Sequence, residues 1–549
     1  MTAKDSNHAR GFPMRQLVGQ DAAFLHVETA TVKTHFTLLT IYDQSTVPGG
    51  RLRYRDILGY FEQRLTPLPV FRRRIVEVPF QLDAPYFVDD PNYHIESHVR
   101  HIALPKPGDW RQFCILVAQI QATPMDLSKP LWDMHVVEGL DNVEGLPPNS
   151  FAILTRLHHS IADGTTARGI MMALHHPEGQ KLPKPPVGVR EPEPTIPEMA
   201  IRAVVNNAYR IWELEKHLIK ALPGLGGIVL PAAGKLLPGL GGAEASESPT
   251  EPDKPRWPVP ATIFNQEADY RRVFQLRVFA LEEIAGMRRA VEGSTVNDVV
   301  LVLVGEALRR YMARMKKSVR SDLYAICPIN IRRDKLTNQS LAGNDVSLMT
   351  ANLRTTEPDL LERLRKVTEG TRASKKVQEA SSVKELVAMS KQAPNLLLAL
   401  ASRIAVQAAL RASSTRPLSN AIITNVPGPQ EPLYFMGARL VLFSGGTPVT
   451  PVTGLTIPVT SYDGRLIISF TGAASWVKDP QGLAECLDES FEAMKLALGP
   501  PAAARRKAKA KSKAKSKAKA KAKAKSGTRA RTKTASRRST RGQGHRAAR

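Results

Sequence analysis

The segment Arg156–Ala167, RLHHSIADGTTA, gathers His158, His159, Asp163 and Gly164 into one short stretch. Neutral imidazole accepts an alcohol proton near neutral pH and later returns it to a leaving group. An acid four residues after His159 suits fixing the loop by pairing elsewhere, and Gly164 permits a turn that a Cβ would obstruct. A plainer alternative is a strand-end histidine pair held by structural hydrogen bonds. A metal site is a further one, because His175-His176 follows closely. Neither pair has HExxH spacing, however, and no cysteine lies near.

A catalytic histidine needs a rigid ledge beside a cavity. Phe151–Leu157 reads as a strand running directly into His158, and Thr165–Leu174 reads as the helix beyond the loop. Further strands are expected at Phe36–Tyr42 and Leu131–Val137, with helices over Arg53–Leu65 and Trp110–Ala122. These form one mixed α/β unit over 14–177, behind a flexible N-terminus, 1–13. Residues 178–261 form a Pro/Gly-rich connector holding an amphipathic helix, Met199–Leu222, and two LPGLGG segments. A second α/β unit spans 262–498. Its clearest helix is Thr295–Met315, with Ser294 or Thr295 as cap. Its strands include Leu323–Cys327, Asn420–Thr424 and Leu455–Ser461, and Asp463-Gly464 turns the last into Arg465–Phe470.

Charge is unevenly distributed. The chain has 549 residues with 77 Lys+Arg against 51 Asp+Glu, but 20 of the basic residues and no acid fall after Pro500. The preceding body is close to neutral, and 42% hydrophobic residues give it ample core, which excludes a wholly disordered chain. The tail, 499–549, has no apolar face and is expected to be disordered. Its lysines suit nucleic acid or anionic lipid without reading sequence, with a solubilising tail as the plainer alternative. Cys114, Cys327 and Cys486 lack CxxC spacing, which fits a reducing compartment. No secretory h-region or apolar spanning run is visible, so a cytoplasmic location is expected. The absence of GxxxxGK[ST] and GxSxG disfavours nucleotide hydrolysis and a serine esterase.

HHSIADG resembles the HHxxxDG motif of the bacterial wax ester synthase/diacylglycerol acyltransferase family, within the CoA-dependent acyltransferases. QDAAFLHVET at Gln20–Thr29, the VDDP…HVRH block in Pro85–Gly108 and Pro130-Leu131-Trp132 are similar to family segments in the expected order. So are Asn297-Asp298, CPINIRRD, GNDVS and TNVPGPQEPLYFMGARL, and the likeness runs from about Gln16 to Leu498.

The resemblance implies two chloramphenicol-acetyltransferase-like lobes with a central inter-lobe tunnel. It also implies acyl transfer from acyl-CoA to diacylglycerol or a long-chain alcohol. By that likeness His159 is the general base, His158 supports it or orients substrate, and Asp163 holds the loop through an arginine, with Arg332 and Arg333 as candidates, rather than relaying charge. Asn297 suits binding the acceptor hydroxyl or the oxyanion, or else a helix-terminus hydrogen bond. Pro130, Leu131, Trp132 and Gly164 are substrate-binding candidates, with strand-start packing as the alternative for the first three, and Asn425 is expected to shape a turn. No metal and no cofactor are expected, acyl-CoA being a substrate. Residues 199–240 suit peripheral attachment to the inner membrane or lipid droplets, or else packing across both lobes. A peptide-synthetase-like condensation enzyme and a non-catalytic lipid-granule or nucleic-acid tether are the rival functions.

Overall fold

The computed structural model describes residues 16–17, 19–162, 164–177, 193–209, 259–318, 320–330, 346–378 and 395–499. Asp163, Arg332, Arg333, the connector beyond residue 209 and the basic tail lie outside these residues, and so do the readings that rest on them.

Two sheets dominate a mixed α/β architecture. The first runs in the order Val99–Ala103, Trp132–Glu138, Phe151–His158, His35–Asp43, Ala438–Gly446, Leu433–Phe435 and His176–Pro177. Phe151–His158 lies inside this sheet, and all eight of its residues are buried. With both faces covered, its sequence FAILTRLH shows a nearly continuous apolar run instead of alternation. It pairs antiparallel with His35–Asp43, with His35 opposite His158. The second sheet runs Val346–Asn352, Tyr324–Asn330, Ala421–Pro427, Leu455–Tyr462, Arg465–Ala473 and Arg272–Ala280.

Chain order and sheet membership do not coincide. Ala438–Gly446, from the second half of the sequence, pairs antiparallel with His35–Asp43 from Thr37↔Gly446 to Asp43↔Arg439. The two halves are therefore joined by a hydrogen-bond ladder as well as by packing. Helix Trp110–Ala122 contributes Phe113, Val117 and Ile120 to a core that also holds Leu154 of the first sheet and Phe274, Leu276 and Ile467 of the second. Asp109 and Gln112 start that helix with a reciprocal capping box, as its sequence favours. Helix Val296–Arg314 is the apolar centre of the second core, opened by Thr295 and Asp298. Asp463 and Gly464 both adopt positive φ, at 45° and 74°, the requirement of a type I′ hairpin turn.

Helix 196–209 lies against a small two-stranded sheet, Arg73–Val76 with Tyr86–Asp89. Met199 and Ala203 bury its inner face beside Val78, Tyr86 and Val88. The outer face leaves Ile201 67% and Val204 69% exposed, and nearby Phe80 is 88% exposed. No helix among the described residues is long and apolar enough to cross a membrane.

Candidate active site

At the end of Phe151–His158 the two histidines meet different environments. The His158 backbone N–H donates to the Leu131 carbonyl at 3.0 Å, while that of His159 donates to the Thr34 carbonyl at 3.0 Å. These bonds fix the strand end from both sides.

The His158 ring is completely buried. The Ser160 backbone N–H donates to His158 Nδ1 at 3.1 Å, with Ser160 Oγ at 2.6 Å from the same nitrogen. Since Nδ1 accepts, the proton of the neutral ring is assigned to Nε2, which donates to Thr34 Oγ1 at 2.7 Å. Thr34 Oγ1 in turn donates to the Phe24 carbonyl at 3.1 Å. Glu28 accepts the Thr34 backbone N–H at 2.9 Å and lies 3.9 Å from His158 Nε2. Burial, and then the neighbouring His159, push the His158 pKa down to about 3. This ring is a neutral structural group with both nitrogens engaged.

His159 is only half-buried. Its ring stacks on Phe24 at 4.9 Å between centroids and 20° between planes, and meets Phe36 at 5.0 Å and 56°. The aromatic pair restricts the ring plane through packing. Phe24 comes from helix Gly19–His26 and Phe36 from the neighbouring strand, so the bend between them shapes the site.

Pro130, Leu131 and Trp132 adjoin the histidines through the Leu131 carbonyl. Trp132 is 2% exposed, donates from Nε1 to the Phe71 carbonyl at 2.7 Å and stacks on His98 at 4.6 Å. Pro130 and Trp132 also border a cavity of about 390 Å³, with Met125, Lys129, Arg100 and Arg156 among its other walls. A largely buried network forms part of its wall, in which Arg156 pairs with Asp133 and donates to the Ile120 carbonyl at 2.6 Å.

Asn297 is the second residue of helix Val296–Arg314 and is half-buried. The helix-terminus bonds belong to its neighbours. Asp298 accepts from the Thr295 N–H at 2.8 Å and from Thr371 Oγ1 at 2.7 Å. No described hydrogen bond joins Asn297 to the histidine pair. Gly164 opens helix Gly164–Leu174. Asn425 corrects its sequence reading: it lies inside strand Ala421–Pro427, opposite Val459, instead of in a turn. His175 donates from Nδ1 to the Met171 carbonyl at 2.6 Å, and its Nε2 accepts from the Tyr42 hydroxyl at 2.7 Å. It is thus committed within the core, and no metal-holding group of three or more His, Cys, Asp and Glu occurs among the described residues.

Sequence reasoning missed Phe24, Glu28, Thr34, Phe36 and Ser160. Ser160 is inside the motif itself. Phe24 and Glu28 lie in the Gln20–Thr29 block, but nothing local links that block to a strand more than a hundred residues later.

Comparison with known proteins places this geometry in context. The wax ester synthase/diacylglycerol acyltransferase catalytic domain matches residues 17–300, and the C-terminal domain of the same family matches 342–495. A putative diacylglycerol O-acyltransferase of Mycobacterium tuberculosis is 28% identical over 451 residues, covering 82% of this chain and 90% of that protein. The O-acyltransferase WSD of Acinetobacter baylyi is 27% identical over 430 residues, covering 78% and 85%. The solved wax ester synthase/diacylglycerol acyltransferase of Marinobacter aquaeolei VT8 shares the fold, with a TM-score of 0.62 and 23% identity over 89% of this chain and all of that one. With both family domains matched in order around the histidine strand, the chain belongs to the wax ester synthase/diacylglycerol acyltransferase family.

Proposed function

We propose that the protein transfers a long-chain acyl group from acyl-CoA to the hydroxyl of diacylglycerol or a long-chain alcohol, with His159 as general base. The observation that carries this reading is the division of labour in the histidine pair. His158 is sealed and neutral, whereas His159 stands half-buried at the strand end, oriented by Phe24 and Phe36. His159 takes the acceptor hydroxyl proton as the oxygen bonds to the thioester carbonyl carbon. The tetrahedral intermediate then collapses, the C–S bond breaks, and the imidazolium returns its proton to the departing CoA thiolate. The products are an ester and free CoA. Positioning and base catalysis supply the rate, with no resident cofactor or metal.

The cavity beside Pro130 and Trp132 falls within the ~300–1,000 Å³ range of small-molecule sites. In this reading it receives part of a substrate, and Arg100 and Lys129 supply positive charge beside it. Asn297 is the second-lobe candidate for holding the acceptor oxygen. The acceptor reaches the enzyme from a lipid surface, which the exposed Phe80, Ile201 and Val204 contact.

The test is CoA release from palmitoyl-CoA against a panel of diacylglycerol, hexadecanol and an amine, with products resolved by lipid chromatography. Ester formation with either hydroxyl acceptor is expected. Amide formation alone would transfer the assignment to a condensation enzyme, and no CoA release with any acceptor would remove the enzymatic reading. For the lipid surface, Phe80→Ser/Val204→Ser should reduce flotation with oleate-rich vesicles, and unchanged flotation would count against it.

A further inference from the structure

The bend between helix Gly19–His26 and strand His35–Asp43 holds most of what shapes the histidine pair. Phe24 stacks on His159 from one end, and Phe36 meets the same ring from the other. Between them, Thr34 accepts the His159 N–H on its carbonyl and the His158 Nε2–H on its hydroxyl. A shift of this bend moves both rings at once.

Local bonds partly define the bend. Thr29 Oγ1 accepts from the Val32 N–H at 3.0 Å, and Lys33 Nζ donates to the Thr29 carbonyl at 2.9 Å. These bonds set its curvature without fixing its position relative to the second sheet. That tie comes from Arg272, the first residue of the second sheet's edge strand. Its Nη2 donates to the Thr31 carbonyl, across 241 residues of sequence, while Nη1 donates to the Asp269 carbonyl at 2.7 Å.

Arg272 is a buried guanidinium that donates to backbone carbonyls, with no carboxylate in a salt bridge to it among the described residues. Burial pushes its pKa down, with Asp269 opposing. Burying a charge against carbonyls alone is costly, so an apolar side chain would serve simple packing better. A planar fork with donors directed both ways suits joining two separate backbones.

We propose that Arg272 is a positioning residue that sets the His158–His159 pair from across the lobe boundary by clamping the Thr29–Thr34 bend. It touches neither histidine, and its effect passes through Thr31 and Thr34. Its influence on turnover rests on the acyl-transfer reading, whereas its influence on His158 protection does not.

The experiment compares the full-length wild type with Arg272→Met and Arg272→Lys. Methionine removes every donor at similar length, and lysine restores one donor nitrogen and the charge. In Arg272→Met, kcat should fall at least about tenfold with KM for palmitoyl-CoA held within about twofold, as misplacement of a catalytic group predicts. Arg272→Lys should recover a large part of the loss. The second readout needs no substrate: carbethoxylation by diethyl pyrocarbonate, followed by peptide mass spectrometry. His158 should be protected in the wild type and in Arg272→Lys, and modified in Arg272→Met below its melting temperature. A higher KM with unchanged kcat would make Arg272 a substrate anchor and overturn the proposal. A lower melting temperature with unchanged kcat and protected His158 would overturn it as well. Failure of the acyl-transfer reading would appear separately, as a wild type that forms no ester while the protection pattern still depends on Arg272.

Discussion

Thr34 and Ser160 give two adjacent histidines of the same type opposite characters. Ser160 donates its N–H to Nδ1 of His158, and the Thr34 hydroxyl accepts from Nε2, so neither nitrogen is left for chemistry. His159→Ala should therefore lower acyl transfer by ~10²–10⁴-fold, the usual cost of losing a general base. The check is CoA release by purified enzyme with an unchanged circular dichroism spectrum, and turnover near wild type would defeat the assignment. Buried neutral histidines also affect stability. Burial holds His35 and His158 down at about 3 and His175 at about 4. An unfolded histidine titrates near 6.5, so between these values the unfolded chain binds more protons than the folded one. The stabilisation is complete above about pH 6.5 and is lost as pH falls through the folded values. The melting temperature should thus drop steadily from about pH 6.5 towards about pH 4, and less steeply in His175→Gln, which removes one of these titrations. A melting temperature that stayed flat over that range would contradict this account.

Single elements are most legible where local chemistry decides their ends. Helix Trp110–Ala122 is readable to the residue because Asp109 and Gln112 cap it and its apolar positions recur at helical spacing. The Asp463-Gly464 hairpin is equally local. Asn425 is misleading because Pro427 and Gly428 signal a turn, yet the strand continues through Pro427, held by its parallel neighbour. The motif strand is legible, but its partners are not, since Thr34 and Phe24 reach its end only through tertiary contacts. The same is true of the ion pair joining helices Val296–Arg314 and Leu360–Gln378. Glu306 is 2% exposed and Arg363 1%, with Nη1 of the arginine 2.8 Å from the carboxylate. Burial pushes the Glu306 carboxyl up, but Arg309 and Arg363 outweigh it and hold it at about 2. Glu306→Ala leaves a buried guanidinium without its carboxylate and should destabilise the fold by about 3–5 kcal/mol, read as a lower urea midpoint. Replacing both Glu306 and Arg363 by Met should recover most of that loss, because the orphaned charge is gone. A double variant no more stable than Glu306→Ala would show that the pair itself carries the stability.

At the scale of the whole molecule, a nearly neutral body precedes a strongly basic tail. The tail, outside the described residues, is proposed as an electrostatic tether to polyanions, with the chemistry confined to the body. Truncation after Pro500 should leave turnover on a soluble substrate unchanged while reducing retention on DNA and on anionic vesicles, most visibly at low salt. Unchanged retention on both, or lost turnover, would defeat the tether. Within the body, strand Ala438–Gly446 pairs with His35–Asp43 and completes the sheet that carries the histidines. During biosynthesis that pairing comes late. A ribosome adding ~5–20 residues per second delivers Gly446 roughly 15–60 s after His158. Through that interval the nascent chain presents His35–Asp43 as an unpaired strand edge, the kind of surface that recruits other chains. The fold thus places a chaperone's opportunity between the synthesis of the histidine motif and the arrival of the strand that closes its sheet.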